Sequence, residues 1–137
     1  MNHWAYVGLS KNLENTKKVL DNIEDIKQTL DLFLKKVCKL PKKDIDQIFN
    51  NPRGKEEIVM MRYFVMRYLN HLDSNRYSKS ALGRMFKKDH SSIIHAINRT
   101  ETVLSLGAQS NAEKRGVKVY QAFNANFLQF IKLSNLN

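Results

Sequence analysis

Cysteine is nearly absent: Cys38 stands alone in 137 residues. A single thiol closes no internal disulfide, so a disulfide-stapled secreted scaffold is excluded and the fold must rest on packing. Glycine and proline are scarce too, with five and two residues. Sheets of many short strands need both at their turns, so long helices and an all-α fold are expected instead. Long apolar runs are also missing. Even Ile58-Val59-Met60-Met61 falls far short of the roughly 18 residues that cross a bilayer, which excludes a membrane-spanning role. The first residues lack the basic-then-apolar pattern of a secretory leader, so a cytoplasmic protein is expected.

Acidic residues are outnumbered 13 to 23 by lysine and arginine, for a net charge of +10. That surplus suits a polyanionic partner such as nucleic acid or an anionic surface, without choosing between them. The length fits one domain of ordinary size with an added arm, not two independent cores.

Between Leu13 and Leu40 apolar residues recur at helical spacing: Leu13, Leu20 and Leu34 in one row, Ile23, Leu30 and Val37 in a second. One long amphipathic helix is expected, ended by Pro41. The rows fit heptad positions, but Thr16 and Lys27 interrupt the seam while Ile26 and Phe33 widen the stripe. The helix therefore either packs on its own domain or pairs with a second copy. A short segment follows from Lys42 to Phe49, and Asn50-Asn51-Pro52-Arg53-Gly54 then punctuates the chain strongly. The expected division is an N-terminal helical arm, 1–50, and a main domain, 51–137.

A helix of about five turns is expected from Lys55 to Leu72, with Ile58, Met61, Val65, Tyr68 and Leu72 inward and Arg62 and Arg67 on other faces. Met60-Met61 and Phe64-Val65 sit on that period and read as core rather than as a ligand pocket. Ser78 is a candidate N-cap for a short helix carrying Ala81, Leu82, Met85 and Phe86. Asp89 is a candidate cap for the next helix, accepting from Ser91 or Ser92, with Ile93, Ala96, Ile97, Thr100 and Leu104 inward. Gly107 and Gln109-Ser110-Asn111 end it. A final packing helix runs from about Val117 to Leu133, with Val119, Phe123, Phe127, Phe130 and Ile131 on its apolar side. Trp4 and Tyr6 are expected to dock on the body.

A short helix, a tight turn and a capped second helix are the parts of a helix-turn-helix. Small Ser91 and Ser92 let the second helix approach base edges, where their hydroxyls and the His90 imidazole donate or accept. Lys79, Arg84, Lys87, Lys88 and Arg99 surround this start, five positive charges against the one of Asp89. Such a ring neutralises phosphates and sets the register of the helix. Each residue also has a plainer explanation: Asp89 as a cap alone, Lys87 and Lys88 as a solvated turn, and His95 either reaching a phosphate or packing between helices. A metal set of Asp89, His90 and His95 is disfavoured, because residues five apart point to different faces of a helix. Neither a metal nor a cofactor is expected.

The string from Leu82 to Ala96, Leu-Gly-Arg-Met-Phe-Lys-Lys-Asp-His-Ser-Ser-Ile-Ile-His-Ala, resembles the signature of the C-terminal DNA-binding domain (domain IV) of the bacterial replication initiator DnaA. The resemblance covers roughly Lys55 to Leu104. It implies a Trp-repressor-like helical domain in which Asp89, His90, Ser91 and Ser92 contact bases of double-stranded DNA. It also implies that an arginine ahead of the first helix enters the minor groove, for which Arg53, beside Lys55, is the candidate. Three departures stand out: the turn carries Lys87-Lys88 where the family has Gly-Gly-Arg, both threonines are serine, and the loop from Asp73 to Tyr77 is longer. Losing the threonine methyls relaxes discrimination for thymine. The family's ATP-binding P-loop needs two glycines five residues apart, and Gly8, Gly54, Gly83, Gly107 and Gly116 supply no such pair.

Sequence-specific binding of duplex DNA is therefore expected, in replication initiation or control at an origin or in transcription regulation, without ATPase activity. It would act by occupancy or by recruiting a replication or transcription protein. The alternative is a helical interaction module that forms a homodimer through the Leu13–Leu40 helix, with a nonspecific basic face. An enzyme is not expected, since no nucleophile-base pair, paired carboxylates or metal cluster stands out.

Overall fold

The computed structural model describes residues 17, 18, 20, 21, 25–50 and 53–135. Among them lie six helices and no strand: α1 (Ile26–Lys36), α2 (Lys42–Asn50), α3 (Glu56–Leu72), α4 (Lys79–Phe86), α5 (His90–Leu106) and α6 (Asn111–Asn135). The all-α expectation holds. Trp4 and Tyr6, and the expected start of the first helix at Leu13, lie outside the described residues.

The single helix expected across Leu13–Leu40 is corrected. Asp25 sits in extended backbone (φ −138°, ψ 101°), and its carboxylate accepts from the N–H groups of Lys27 and Gln28, so α1 begins there as a separate capped helix. It also ends before Pro41 acts. Val37 caps it, Lys39 turns left-handed (φ 59°), and the Leu40 N–H donates to the Leu34 carbonyl at 3.1 Å. Of the two rows that a second copy would have needed, Leu20, Leu30 and Leu34 are buried within the fold. Leu30, Phe33 and Leu34 are fully buried, and the Phe33 ring meets Phe123, Phe127 and Phe130 of α6 at 4.5, 5.1 and 5.4 Å.

α3 is the central element, packed chiefly on α6 and α5. Because neighbours cover it on several sides, Arg62 and Arg67 are buried at 2% and 9% exposure rather than turned outward. Each guanidinium is satisfied where it lies. Arg62 donates from Nε and Nη2 to the Ile48 and Gln47 carbonyls at 2.6 and 2.8 Å, holding the end of α2. Arg67 donates to Tyr120 Oη at 3.0 Å, Thr100 Oγ1 at 3.4 Å and Glu101 Oε1 at 2.5 Å, tying α3 to α5 and α6. One apolar cluster runs from Leu20 through α1 and α2 to Ile131, so described residues up to Asn50 share a core with those after Arg53.

α6 starts at Asn111, earlier than Val117. The Ser110 hydroxyl accepts from the Glu113 N–H at 3.1 Å while Glu113 Oε1 accepts from Gln109 and Ser110, a reciprocal cap. Gly116 permits the close crossing with α3: a Cβ there would lie 2.7 Å from the Phe64 ring. On α5 the inward row ends at Val103, 2% exposed, and not at Leu104, 37% exposed. Leu104 lies about three turns from Ile93 and so on the same side of α5, but at this end of the helix the packing is with Val103, which meets Met60, Phe64 and Ala112.

Candidate nucleic-acid interface

Ser78 caps α4 as expected, its hydroxyl accepting from the Ala81 N–H at 3.1 Å. Three residues, Lys87, Lys88 and Asp89, then carry the chain into α5. Lys87 is left-handed (φ 56°, ψ 48°) and the Lys88 N–H returns to the Gly83 carbonyl at 2.9 Å, the pattern of a Schellman stop. Gly83 is required by close approach: a Cβ there would lie 2.7 Å from the Lys88 carbonyl oxygen. Asp89 then caps α5, accepting from the Ser92 N–H at 2.7 Å. Between the two caps the path of the chain leaves little freedom.

The result is a presented helix start. Asp89, His90, Ser91 and Ser92 are all exposed, whereas Ile93, Ala96 and Ile97 anchor the opposite side of the same helix in the core. Lys79, Arg84 and Lys87 are exposed around it, and Lys88 is half-buried. His95 is exposed rather than packed between helices, its ring edge-on to Tyr63 at 6.2 Å. Arg53 and Lys55 are exposed at the entry to α3, a different element. Arg99 is drawn away from this set by Glu113, to which its Nη2 donates at 2.7 Å, and that pairing offsets its charge within the fold.

The hydrogen bond from the Ser92 N–H holds the Asp89 carboxyl below the usual carboxylate range, so it is ionised at neutral pH. An ionised carboxylate accepts from an amino group and repels a phosphate, so beside the exposed lysines Asp89 is suited to a base edge and not to the backbone.

No protein-family model and no solved structure matches the chain. What the site does must come from its own chemistry. Among the described residues no group of three metal-ligating side chains gathers, and no helix is long and apolar enough to cross a membrane.

The structure adds two groups of side chains that sequence reasoning did not assign to the site. Arg62 and Tyr63 of α3 line one cleft together with Lys88, Ser91, Ser92 and His95. No local pattern could have shown this, because α3 and α5 are brought together only by the fold. Glu113 is the other, and here a signal existed: Ser110-Asn111-Ala112-Glu113 has the spacing of a capping box.

The N–H groups of Gln109 and Ser110 and the Arg99 guanidinium hold the Glu113 carboxyl below its ordinary value of 4.5. A carboxyl whose folded value is depressed stabilises the fold above its unfolded value and loses that contribution as pH falls through the folded one. Glu113→Gln should therefore melt below the wild type near pH 6, and the difference should close as the pH is lowered below that ordinary value. Thermal melts of both proteins across that range check it. A constant gap would mean that the charge contributes nothing.

Proposed function

We propose that the protein binds double-stranded DNA sequence-specifically, with α4, the turn and α5 forming a helix-turn-helix of the Trp-repressor-like type and the start of α5 entering the major groove. The observation that carries this is the run Asp89-His90-Ser91-Ser92: four consecutive exposed polar side chains on a helix start fixed by a Schellman stop, a cap and a buried anchor. Side chains held this way meet base edges with little ordering left to lose, which favours discrimination as well as affinity. Lys79, Arg84 and Lys87 supply the sequence-independent attraction to phosphates.

The resemblance of residues 82–96 to the initiator's C-terminal domain supports a role in replication control at an origin, or in transcription. Without a P-loop the protein works by occupying its site or by recruiting another protein. Pairing of two copies through the first helix is not favoured, because the apolar face of α1 is buried against α6.

The test is binding to two duplexes, one carrying a DnaA-box-like site and one scrambled, at several salt concentrations. Wild type should prefer the box over a salt-dependent background common to both. His90→Ala should weaken box binding by about 10- to 100-fold and leave scrambled binding nearly unchanged, since one good base contact is worth roughly 1–3 kcal/mol of discrimination. Equal wild-type binding to both duplexes would remove base reading, and no binding to either would remove the proposal.

A further inference from the structure

A second cleft, of about 400 Å3, opens where the turn between α1 and α2 meets α3 and α6. No residue of α4 or α5 lines it, so it is separate from the start of α5. Its volume falls near the lower end of the roughly 300–1,000 Å3 that small-molecule sites span. Val37, Leu40, Met61, Val119 and Ala122 form its apolar wall, two from the turn, one from α3 and two from α6. Cys38 joins them: burial pushes its thiol up to about 11, so at neutral pH it stays uncharged and adds to that wall.

Three cations complete the lining, Lys39 from the turn and Arg115 and Lys118 from α6, and no carboxylate lines the cleft. Arg115 donates to Glu57 at 3.1 Å, which offsets its charge. Lys39 and Lys118 are exposed, and among the described residues neither makes an ion pair or a side-chain hydrogen bond. Met61, Leu40 and Val119 are buried, so the cleft is apolar at its bottom and positive at its rim. Lys39 is also held in left-handed backbone (φ 59°), which a glycine would adopt with less strain. A lysine at that position gives up some stability and keeps a cation at the rim.

An apolar bottom under a positive rim suits a molecule that is apolar at one end and anionic at the other. A bare phosphate would leave the apolar wall in water, and an uncharged hydrocarbon would gain nothing from the ammonium groups. We propose that this cleft binds a small amphipathic carboxylate, its apolar body against Met61, Val119 and Ala122 and its carboxylate met by Lys39 and Lys118. The site does not depend on the duplex-binding reading. A ligand seated there joins the α1–α2 turn to α6 and stabilises the fold as its concentration rises.

The test uses hexanoate as the probe, with hexan-1-ol carrying the same body without the charge, and acetate and inorganic phosphate carrying charge without the body. Hexanoate should shift the backbone amides of residues 38–40 and 118–122 saturably. It should also raise the Tm of the full chain by about 5 °C at roughly ten times its Kd. Hexan-1-ol should bind about tenfold more weakly, and neither acetate nor phosphate should shift those amides over the same concentrations. Lys39→Gly relieves the left-handed backbone, so without ligand it should melt at or above wild type, yet it should bind hexanoate about fivefold more weakly. Ala122→Phe should fill the cleft and abolish the shifts, and Lys39→Gly reports even where that variant fails to fold.

Equal affinity for hexan-1-ol, or shifts induced as well by acetate or phosphate, would overturn the amphipathic assignment, as would undiminished binding by Lys39→Gly. Saturable shifts that persist in a folded Ala122→Phe would place hexanoate elsewhere and overturn this cleft as its site. A protein whose amides do not respond to hexanoate overturns the inference outright.

Discussion

Phe33→Ala should lower the stability of the whole chain by about 3–5 kcal/mol, a large part of the roughly 5–15 kcal/mol that holds a domain of this size. The ring is fully buried, and three phenylalanines of α6 surround it within 5.4 Å, two of them edge-on. Truncation removes its contacts with all three rings and leaves a void that the crossing of α1 and α6 cannot close without moving both helices. Denaturant unfolding followed by circular dichroism should show one transition, displaced as a unit, with a drop in Tm of roughly 10–20 °C. Two transitions, with the one belonging to residues 56–131 unmoved, would mean that the N-terminal helices are an appendage and the shared cluster stabilises nothing beyond α1.

That result bears directly on what could be read from the chain. The caps at Ser78 and Asp89 were legible because a cap is a local event: one side chain, one N–H three residues on, and an apolar row behind. Asp25 has the same chemistry, yet the heptad rows continue in phase beyond it with only Lys27 out of place, so periodicity alone reads one helix where there is a boundary. Ser110 and Glu113 carried their signal in plain view, masked by the Asn and Gly around them that read as loop. Arg62 and Arg67 belong to another class. Their acceptors lie fourteen or more residues away, at Ile48, Thr100, Glu101 and Tyr120, and only the folded arrangement makes burial of a guanidinium tolerable. The candidate site divides in the same way. The exposed start of α5 follows from local pattern, whereas the contribution of α3 to the cleft follows from tertiary packing.

Gly83→Ala separates local rules from the geometry of the turn most sharply, because the two predict opposite signs. In an ordinary helix interior, replacing glycine by alanine stabilises by roughly 0.5–1 kcal/mol, since glycine gives up more backbone freedom on folding. Here the new methyl would lie 2.7 Å from the Lys88 carbonyl oxygen, a backbone atom that cannot rotate aside as a side chain would. Either α4 shifts or the turn does. The turn has little room, because the Lys88 N–H is bound to the Gly83 carbonyl and Asp89, the next residue, caps α5. The expected outcome is a loss of about 1–3 kcal/mol, as for overpacking elsewhere, with the displacement passed to Lys88, Asp89 and the helix start behind them. Box binding should then fall by more than tenfold at a temperature where the variant is still folded, since a recognition helix displaced by a fraction of an ångström loses its short bonds to base edges. Amide chemical shifts of residues 87–92 report the displacement independently of DNA. A variant that melts above wild type and binds the box equally well would show that the turn yields freely and that its geometry does not govern recognition.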